Sequence, residues 1–520
     1  MLDRGHTLCV VFAIEDRQIL QEIATFTPEI ILCPYLHFFL KSEIYENYPT
    51  FIFHPGPKGD RGAYSLENAL QHQEWGVSIL EASALYDGGD IYIERSFKVR
   101  DTYKASLYRD EVKEAYLSGI DEFLINYGSA FKIPQSLRPL HKKPLIKINW
   151  NNESSLEIIH KINLLDSYPG VEDEIMGVEC HLFGAWLEEK LAGKPKEIVA
   201  KRDGAICLGT IDGAIWISHL KAKNSFKLPA TYVLKEKLSG VKESRLPLLF
   251  DKSYATFYEI SVEKRENVAY LCFNFHNGAM SAQQCIRLKY AIEYLKEECE
   301  VLVLVGGLDF FSNGIHLNIL EDSKKNGEDG WSNINAMNDL IGSILEADEI
   351  ITVASLAKNA GAGGLFLALA CDRVVAHESV TLNPHYKTIG LSGSEYHTYT
   401  LPKRVGESVA EELLNTMLPL SSQRALKLGM VDRVFQKESY YEKLHSFAKE
   451  SYSQEKIWEK QDILELEREK MQLCKKREIE RMYLEFWEPA SEFHTLRKNF
   501  VYKNCPTKTP QHLKEGKKYA

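Results

Sequence analysis

The chain has 520 residues, 44% of them hydrophobic and 26% charged, with a formal net charge of −10. That length exceeds what a single hydrophobic core serves, so three or four domains are expected. The acidic balance argues against nucleic acid or an anionic membrane as a partner. No apolar run approaches a membrane span, and the start "MLDRGHTLCVVF" lacks the build of a signal peptide. Ten cysteines without CxxC spacing read as free thiols in a reducing cytosol, with no zinc site and a cytoplasmic location.

From residue 1 to about 135, the apolar runs "CVVFAI", "EIILCPYL", "TFIFH", "VSILEA" and "IYIERSF" alternate with helical or turn text. That alternation predicts a mainly parallel sheet with crossover helices. "KASLYRDEVKEAYLSGIDEFLINYG" carries apolar residues at helical spacing and closes this segment. A second segment, 140–250, opens with "PLHKKPLIKINW" and passes into short strand-like runs. Its Asp-Gly pairs at 203–204 and 212–213 are hairpin signals, so a small β-rich module is expected. A third region, 255–450, is again α/β: "VAYLCFNF", a helix over Ala282–Glu298, "EVLVLVGG", "EIITVASL", and a glycine-rich turn into "KNAGAGGLFLALACDRVVA". The remainder, 451–520, is a long charged helix read as a solvated, packed arm, then a basic tail read as mobile after Pro506.

Two stretches carry chemistry. "FHPGPKGDRG", Phe53–Gly62, follows a strand-like run, so His54 stands where a strand ends and a rigid loop begins. A later acidic turn, "YDGGD", holds Asp87; a histidine and an aspartate converging there can move protons at a carbon centre. The plainer alternative is that His54 ends a strand and Asp87 serves an Asx turn. In the third region, "FFSNGIHLN" and "AGAGGLFLALACDRVVA" are glycine-containing turns after strands, whose backbone N–H groups suit a developing oxyanion.

The first stretch resembles the formyltransferase fold that handles N10-formyltetrahydrofolate, in which an Asn, a His and an Asp act together on the formyl carbonyl. The resemblance covers about 30–250 and lays the His on His54 and the Asp on Asp87. The Asn position holds Ile52, and the first strand and helix of that fold have no counterpart ahead of "HTLCVVFAI". Residues 140–250 are similar to the small C-terminal domain of the tRNA-formylating member. The third region, about 255–440, resembles the crotonase (enoyl-CoA hydratase/isomerase) superfamily, in which two backbone N–H groups hold a thioester carbonyl oxygen. The matching positions are Ile315 and Gly363, with Gly314 and Gly364 beside them at the CoA site. The two hydratase glutamates are replaced by Phe366 and Tyr386, so the acid–base supply shifts to Tyr386 and Glu395. Their plainer alternatives are a tyrosine packed in the core and a glutamate capping a helix.

The order of the two units, with "HPGPKGDRG", "FSNGIHLN" and "GSEYHTYTLPKRVG", resembles the hydrogenase maturation factor family HypX/HoxX nearly end to end. The resemblance implies an α/β multidomain enzyme: a formyltransferase-like parallel-sheet domain, a small β-rich domain, a crotonase-like domain and a helical extension. It implies transfer of the formyl group of N10-formyltetrahydrofolate to coenzyme A, decomposition of formyl-CoA to carbon monoxide, and hydrogenase iron-centre assembly proteins as partners. Lys58 and Arg61 either hold anionic parts of folate or CoA or serve solubility. Two other readings stay open: a formyltransferase or formyl-folate hydrolase for another acceptor with a non-catalytic crotonase unit, and an assembly scaffold without turnover.

Overall fold

A computed structural model describes residues 1–514 apart from 37, 129–131 and 489. The chain divides into two compact units, one of Met1–Ser244, Tyr254–Phe257 and Pro506–Ala520, the other of Arg245–Ser253 and Tyr258–Cys505.

In the first unit, β1 (Ile31–Cys33), β2 (Thr50–His54), β3 (Glu74–Glu81) and β4 (Ile91–Lys98) form a sheet in that order. Only β1 and β2 are parallel; β2–β3 and β3–β4 are antiparallel. The expected parallel sheet is therefore a mixed one. β3 ends at Glu81 and β4 begins at Ile91, and that connection is too short for the crossover helix that parallel neighbours need. Alternation along β2 sends Phe51 and Phe53 toward Ile120 and Phe123 of the helix Lys113–Asn126. Ile52 goes to the opposite face, against Ile44 and Leu40.

"CVVFAI" is not a strand. Its backbone is held by the tail instead: Val10 N–H donates to the Leu513 carbonyl and Phe12 N–H to Thr509 Oγ1, with Thr509 buried. The tail after Pro506, expected to be mobile, is thus tied to the first unit through residue 514. Basic composition marked it as solvated, but those backbone partners lie some 500 residues away in sequence.

The β-rich module is a six-stranded antiparallel sheet of β5 (Val171–Ile175), β6 (Val178–Glu188), β7 (Ile198–Arg202), β8 (Ala205–Gly209), β9 (Ala214–Ala222) and β10 (Lys227–Pro229). The order is β5-β6-β9-β8-β7, with β10 on β9. Asp203 and Gly204, at φ 48° and 87°, turn β7 into β8 as the Asp-Gly signal predicts. The helix Ser155–Leu165, opened by a Ser154/Glu157 capping box, packs Ile158 and Ile162 onto this sheet.

The second unit has a six-stranded sheet of β11 (Ile260–Arg265), β12 (Val268–Phe273), β14 (Val301–Val305), β17 (Ile351–Leu356), β19 (Arg373–His377) and β22 (Arg433–Phe435), parallel except for the first pair. Beside it run two layers of very short strands. One is β15 (Phe310–Ser312), β18 (Asn359–Gly361), β20 (Thr381–Asn383) and β21 (Leu420–Ser421); the other pairs β13 (Ala279–Met280) with β16 (Gly314–Ile315). These are too short and glycine-rich to read as strands from sequence, yet they place the chemistry-bearing turns. The charged helix spans Gln454–Trp487, 34 residues, followed by a helix over Phe493–Tyr502.

Candidate functional site

The first unit gathers acid–base groups where β2 ends. His54, the last residue of β2, is 3% exposed. Its Nδ1 lies 3.4 Å from Asp87 Oδ2, so the two residues singled out from sequence converge. The closer partner is another residue of the quoted loop: His54 Nε2 lies 2.8 Å from Asp60 Oδ2, and Asp60 Oδ1 lies 2.5 Å from Nε2 of His141. Asp60 is carried by a turn in which its N–H donates to the Pro57 carbonyl and Gly59 takes φ 84°. Gly56 makes the approach feasible, because a Cβ there would sit 2.1 Å from Asp60 Oδ2 and 2.5 Å from His54 Nε2. Burial alone would raise the Asp60 carboxyl, but hydrogen bonds from His54, His141 and Ser65 outweigh it and hold Asp60 below the ordinary value.

Asp87 sits at φ 48° in the β3–β4 turn and accepts the Gly62 N–H at 2.9 Å. Arg61 donates from Nε to the Tyr86 carbonyl at 2.8 Å, bracing the same turn, while Lys58 is exposed and its backbone N–H reaches Glu94. The stretch after residue 134 straps both loops: Gln135 accepts the Gly59 N–H and donates to the Asp87 and Gly89 carbonyls. Ile52, where the fold's asparagine would stand, is a packing residue and offers no donor. Asp60 was visible in the sequence after Gly59, but nothing there distinguished it from a turn former. His141 lay in apparent linker text and gave no signal.

The second unit presents the other site. Gly314 (φ 77°) precedes Ile315, and a Cβ on it would lie 3.0 Å from the Gly363 nitrogen, so the two glycine turns abut. Gly363 begins the helix Gly363–Leu369, and a Cβ on it would lie 2.8 Å from Glu395 Oε1. Gly364 touches the Ser312 backbone so closely that a Cβ would be 2.2 Å from its carbonyl oxygen. The fold thus brings the predicted Ile315 and Gly363 positions together, with the Glu395 carboxylate beside them.

Glu395 is 2% exposed and accepts the Tyr386 hydroxyl at 2.7 Å and the Ser394 N–H at 3.1 Å. It does not cap the helix His397–Val405, which has no side-chain cap. Phe366 stacks on Tyr386 with ring centroids 5.4 Å apart and planes 15° from parallel. Glu395 and Tyr396 both lie in the left-handed region, at φ 62° and 54°. Such strain costs about 1–2 kcal/mol per residue, and here Asn338 Oδ1 holds the Glu395 N–H at 3.1 Å. Burial pushes the Glu395 carboxyl up, and the hydrogen bonds from Tyr386 and Ser394 recover only part, so it stays raised. Burial, then the Glu395 charge, drives the Tyr386 phenol well above its usual range.

The long helix reaches this site. Glu478 accepts the Thr398 N–H and hydroxyl at 2.8 and 2.5 Å and lies 3.3 Å from His397 Nδ1. Glu485 accepts the Ser392 N–H, and Glu467 accepts the Tyr399 hydroxyl. Three carboxylates of the supposed arm therefore fix the segment that carries Glu395. Their spacing within a run of mixed charge gave no sign of this. Among the described residues no cluster suited to a metal ion occurs, and no helix is long and apolar enough to cross a membrane.

A formyltransferase-type module joined to a crotonase-type unit is the class these features define. The formyl transferase C-terminal domain model matches residues 142–237, and the enoyl-CoA hydratase/isomerase model matches residues 263–506. Hydrogenase maturation factor HoxX of Bradyrhizobium diazoefficiens is 33% identical to the chain, over 98% of this chain and 92% of that protein. The crystal structure of HypX from Aquifex aeolicus in complex with tetrahydrofolic acid superposes with a TM-score of 0.94 at 37% identity, covering 100% of this chain and 96% of that one. A 4-chlorobenzoyl coenzyme A dehalogenase of Arthrobacter is 29% identical over 37% of this chain and 72% of its own length. The chain belongs to the HypX/HoxX family of hydrogenase maturation factors.

Proposed function

We propose that the chain makes carbon monoxide for hydrogenase maturation by moving the formyl group of N10-formyltetrahydrofolate to coenzyme A and splitting the resulting formyl-CoA. The tetrahydrofolic acid held by the Aquifex relative supports folate as substrate of the first unit, and the enoyl-CoA hydratase/isomerase match supports a CoA thioester in the second. In the first step the CoA sulfur attacks the formyl carbon, the C–N10 bond breaks, and the thiol proton ends on N10. His54 and Asp87 carry that proton. Ile52 leaves the formyl oxygen without the usual amide donor, so transfer here depends more heavily on the proton carriers.

In the second step the formyl C–H proton passes to Glu395, its electron pair stays on carbon, and the C–S bond breaks to give CO and thiolate, which takes the proton back. The N–H groups of Ile315 and Gly363 polarise the carbonyl and acidify that C–H. Tyr386 orients the carboxylate and serves the return of the proton to sulfur. The observation that carries this reading is the 2.7 Å Tyr386–Glu395 contact set against the Gly363 turn, with Phe366 in place of a hydratase carboxylate. A buried carboxylate with a raised pKa is a stronger base than an exposed one.

The test is to mix the full chain with N10-formyltetrahydrofolate and CoA and follow CO by haemoglobin absorbance. One CO per tetrahydrofolate released is expected. Folate turnover without CO, combined with stability of supplied formyl-CoA, would overturn the reading.

A further inference from the structure

The contacts of His54 do not stop at its first partner. Nε2 meets Asp60, and Asp60 meets His141, at 2.8 and 2.5 Å. Side-chain exposure along this line runs 4% for His54, 0% for Asp60 and 22% for His141. On the other nitrogen the contact with Asp87 is looser, 3.4 Å, and Asp87 is 14% exposed. His54 thus has one side where a reacting atom can enter and one side leading through a sealed carboxylate to an imidazole that reaches solvent.

The loop is built to keep that line unbroken. Gly56 leaves no space between His54 and Asp60 for a side chain, and a Cβ on Gly59 would lie 2.5 Å from the Ser136 carbonyl oxygen. Arg138 N–H donates to the Gly59 carbonyl and Gln135 bridges the loops, so the strap bearing His141 is registered on the turn bearing Asp60. A carboxylate placed only to orient His54 does not need a second imidazole on its far oxygen.

We infer that Asp60 and His141 form a proton path that connects buried His54 with solvent while substrates cover the Asp87 side. The inference rests on the formyl-transfer reading above. When sulfur and N10 exchange a proton through His54, a mismatch between arrival and departure leaves the ring with one proton too many or too few. The path corrects it: with His141 carrying a proton on each ring nitrogen, a proton leaving His54 Nε2 is taken by Asp60 Oδ2, and neutralising that carboxylate lets His141, still donating from Nε2 to Oδ1, release its Nδ1 proton to water. Only N–H and O–H bonds form or break. His141 touches no substrate and is a relay residue, not a catalytic one.

The experiment uses the full chain with 15N-histidine, and His141→Ala and His141→Gln variants. Glutamine keeps a hydrogen bond to Asp60 but cannot relay a proton. Exchange of the His54 ring N–H with water, read from its downfield resonance, is expected to slow at least tenfold in both variants. Formyl-folate turnover is expected to fall roughly tenfold to a hundredfold, at the lower end of acid–base effects, with KM for folate unchanged and partial rescue by added imidazole in His141→Ala. Unchanged exchange in the variants overturns the path, as does a turnover loss that imidazole does not restore while exchange stays fast. Slowed exchange in a protein whose wild type transfers no formyl group leaves the path standing and removes the reaction it was read to serve. If His141→Ala does not fold, His141→Gln alone decides by the exchange rate.

Discussion

The two candidate sites solve the problem of a buried acid–base group in opposite ways. At the end of β2, the carboxylates face imidazoles, and Asp60 is pulled below its ordinary pKa by the hydrogen bonds it accepts. Beside Gly363, the carboxylate faces a phenol under an apolar ring, and Glu395 is held above its ordinary pKa by burial. A group that only passes protons between heteroatoms works best paired and linked to solvent. A group that must take a proton from carbon needs basicity, which burial supplies at a cost in stability.

The largest expected effect would confirm or destroy the second half of that contrast. Glu395→Gln and Tyr386→Phe should each lower CO release from formyl-CoA by roughly a hundredfold or more, the scale of a lost acid–base group. CoA binding by calorimetry should be retained. A variant that makes CO at near wild-type rate shows that its residue only packs.

The first half is addressed by His54→Ala, with a loss of about a hundredfold in formyl-folate turnover. The same variant should still decompose supplied formyl-CoA at the wild-type rate. Loss of both activities together would mean that the two sites do not divide the chemistry as argued.

The pH dependence of stability has opposite signs at the two sites. Asp60 has a lowered folded pKa, so its stabilising contribution is present above the unfolded value and is lost as pH falls through the folded one. Glu395 has a raised folded pKa, so its contribution is present in acid and is lost as pH rises through the folded value. Urea unfolding should therefore show Asp60→Asn losing stability relative to wild type at pH 8 and converging with it in acid. Glu395→Gln should gain relative stability at pH 8 and lose that gain in acid. Matching signs for the two variants would contradict the contrast. CO release should also fall on the acid side through a pKa above that of an ordinary glutamate.

The smallest effect expected is at Glu478→Gln, which weakens the hydrogen bonds to Thr398 and His397 while keeping shape. A loss of about 1.5–3 kcal/mol is the usual scale for hydrogen bonds to a charged group, read as a shift in the urea midpoint. No change would return the long helix to the role of a solvated arm.

Part of the candidate sites was legible because it is local: His54 and Asp87 sit at turns whose glycines and prolines dictate backbone shape, and a turn is written in a few consecutive residues. Tyr386 and Glu395 were reached through the resemblance to crotonases, which sets Phe366 and Tyr386 where the hydratase glutamates stand. Ile315 and Gly363 followed from the resemblance to crotonases, and the abutting glycines explain why that spacing matters. Asp60 stands in plain view within the same loop without a distinguishing mark, because an aspartate after a glycine has the composition of any turn. His141 and Glu478 could not be found, since they act on residues 81 and 80 positions away.

Short-range periodicity and turn chemistry set the Asp-Gly hairpin of the β-rich module, the helices Lys113–Asn126, Ala282–Lys296 and Gln454–Trp487, and the strand-end position of His54, while the order of the two units came from the family resemblance. Tertiary structure alone decided that the sheet bearing His54 is mixed, that "CVVFAI" is held by the tail rather than by a strand, and that the charged helix clamps the Glu395 segment. Each of those outcomes depends on which distant backbone or carboxylate satisfies a donor. Pairing energies of that kind depend on proximity in the folded chain and leave no trace in local pattern.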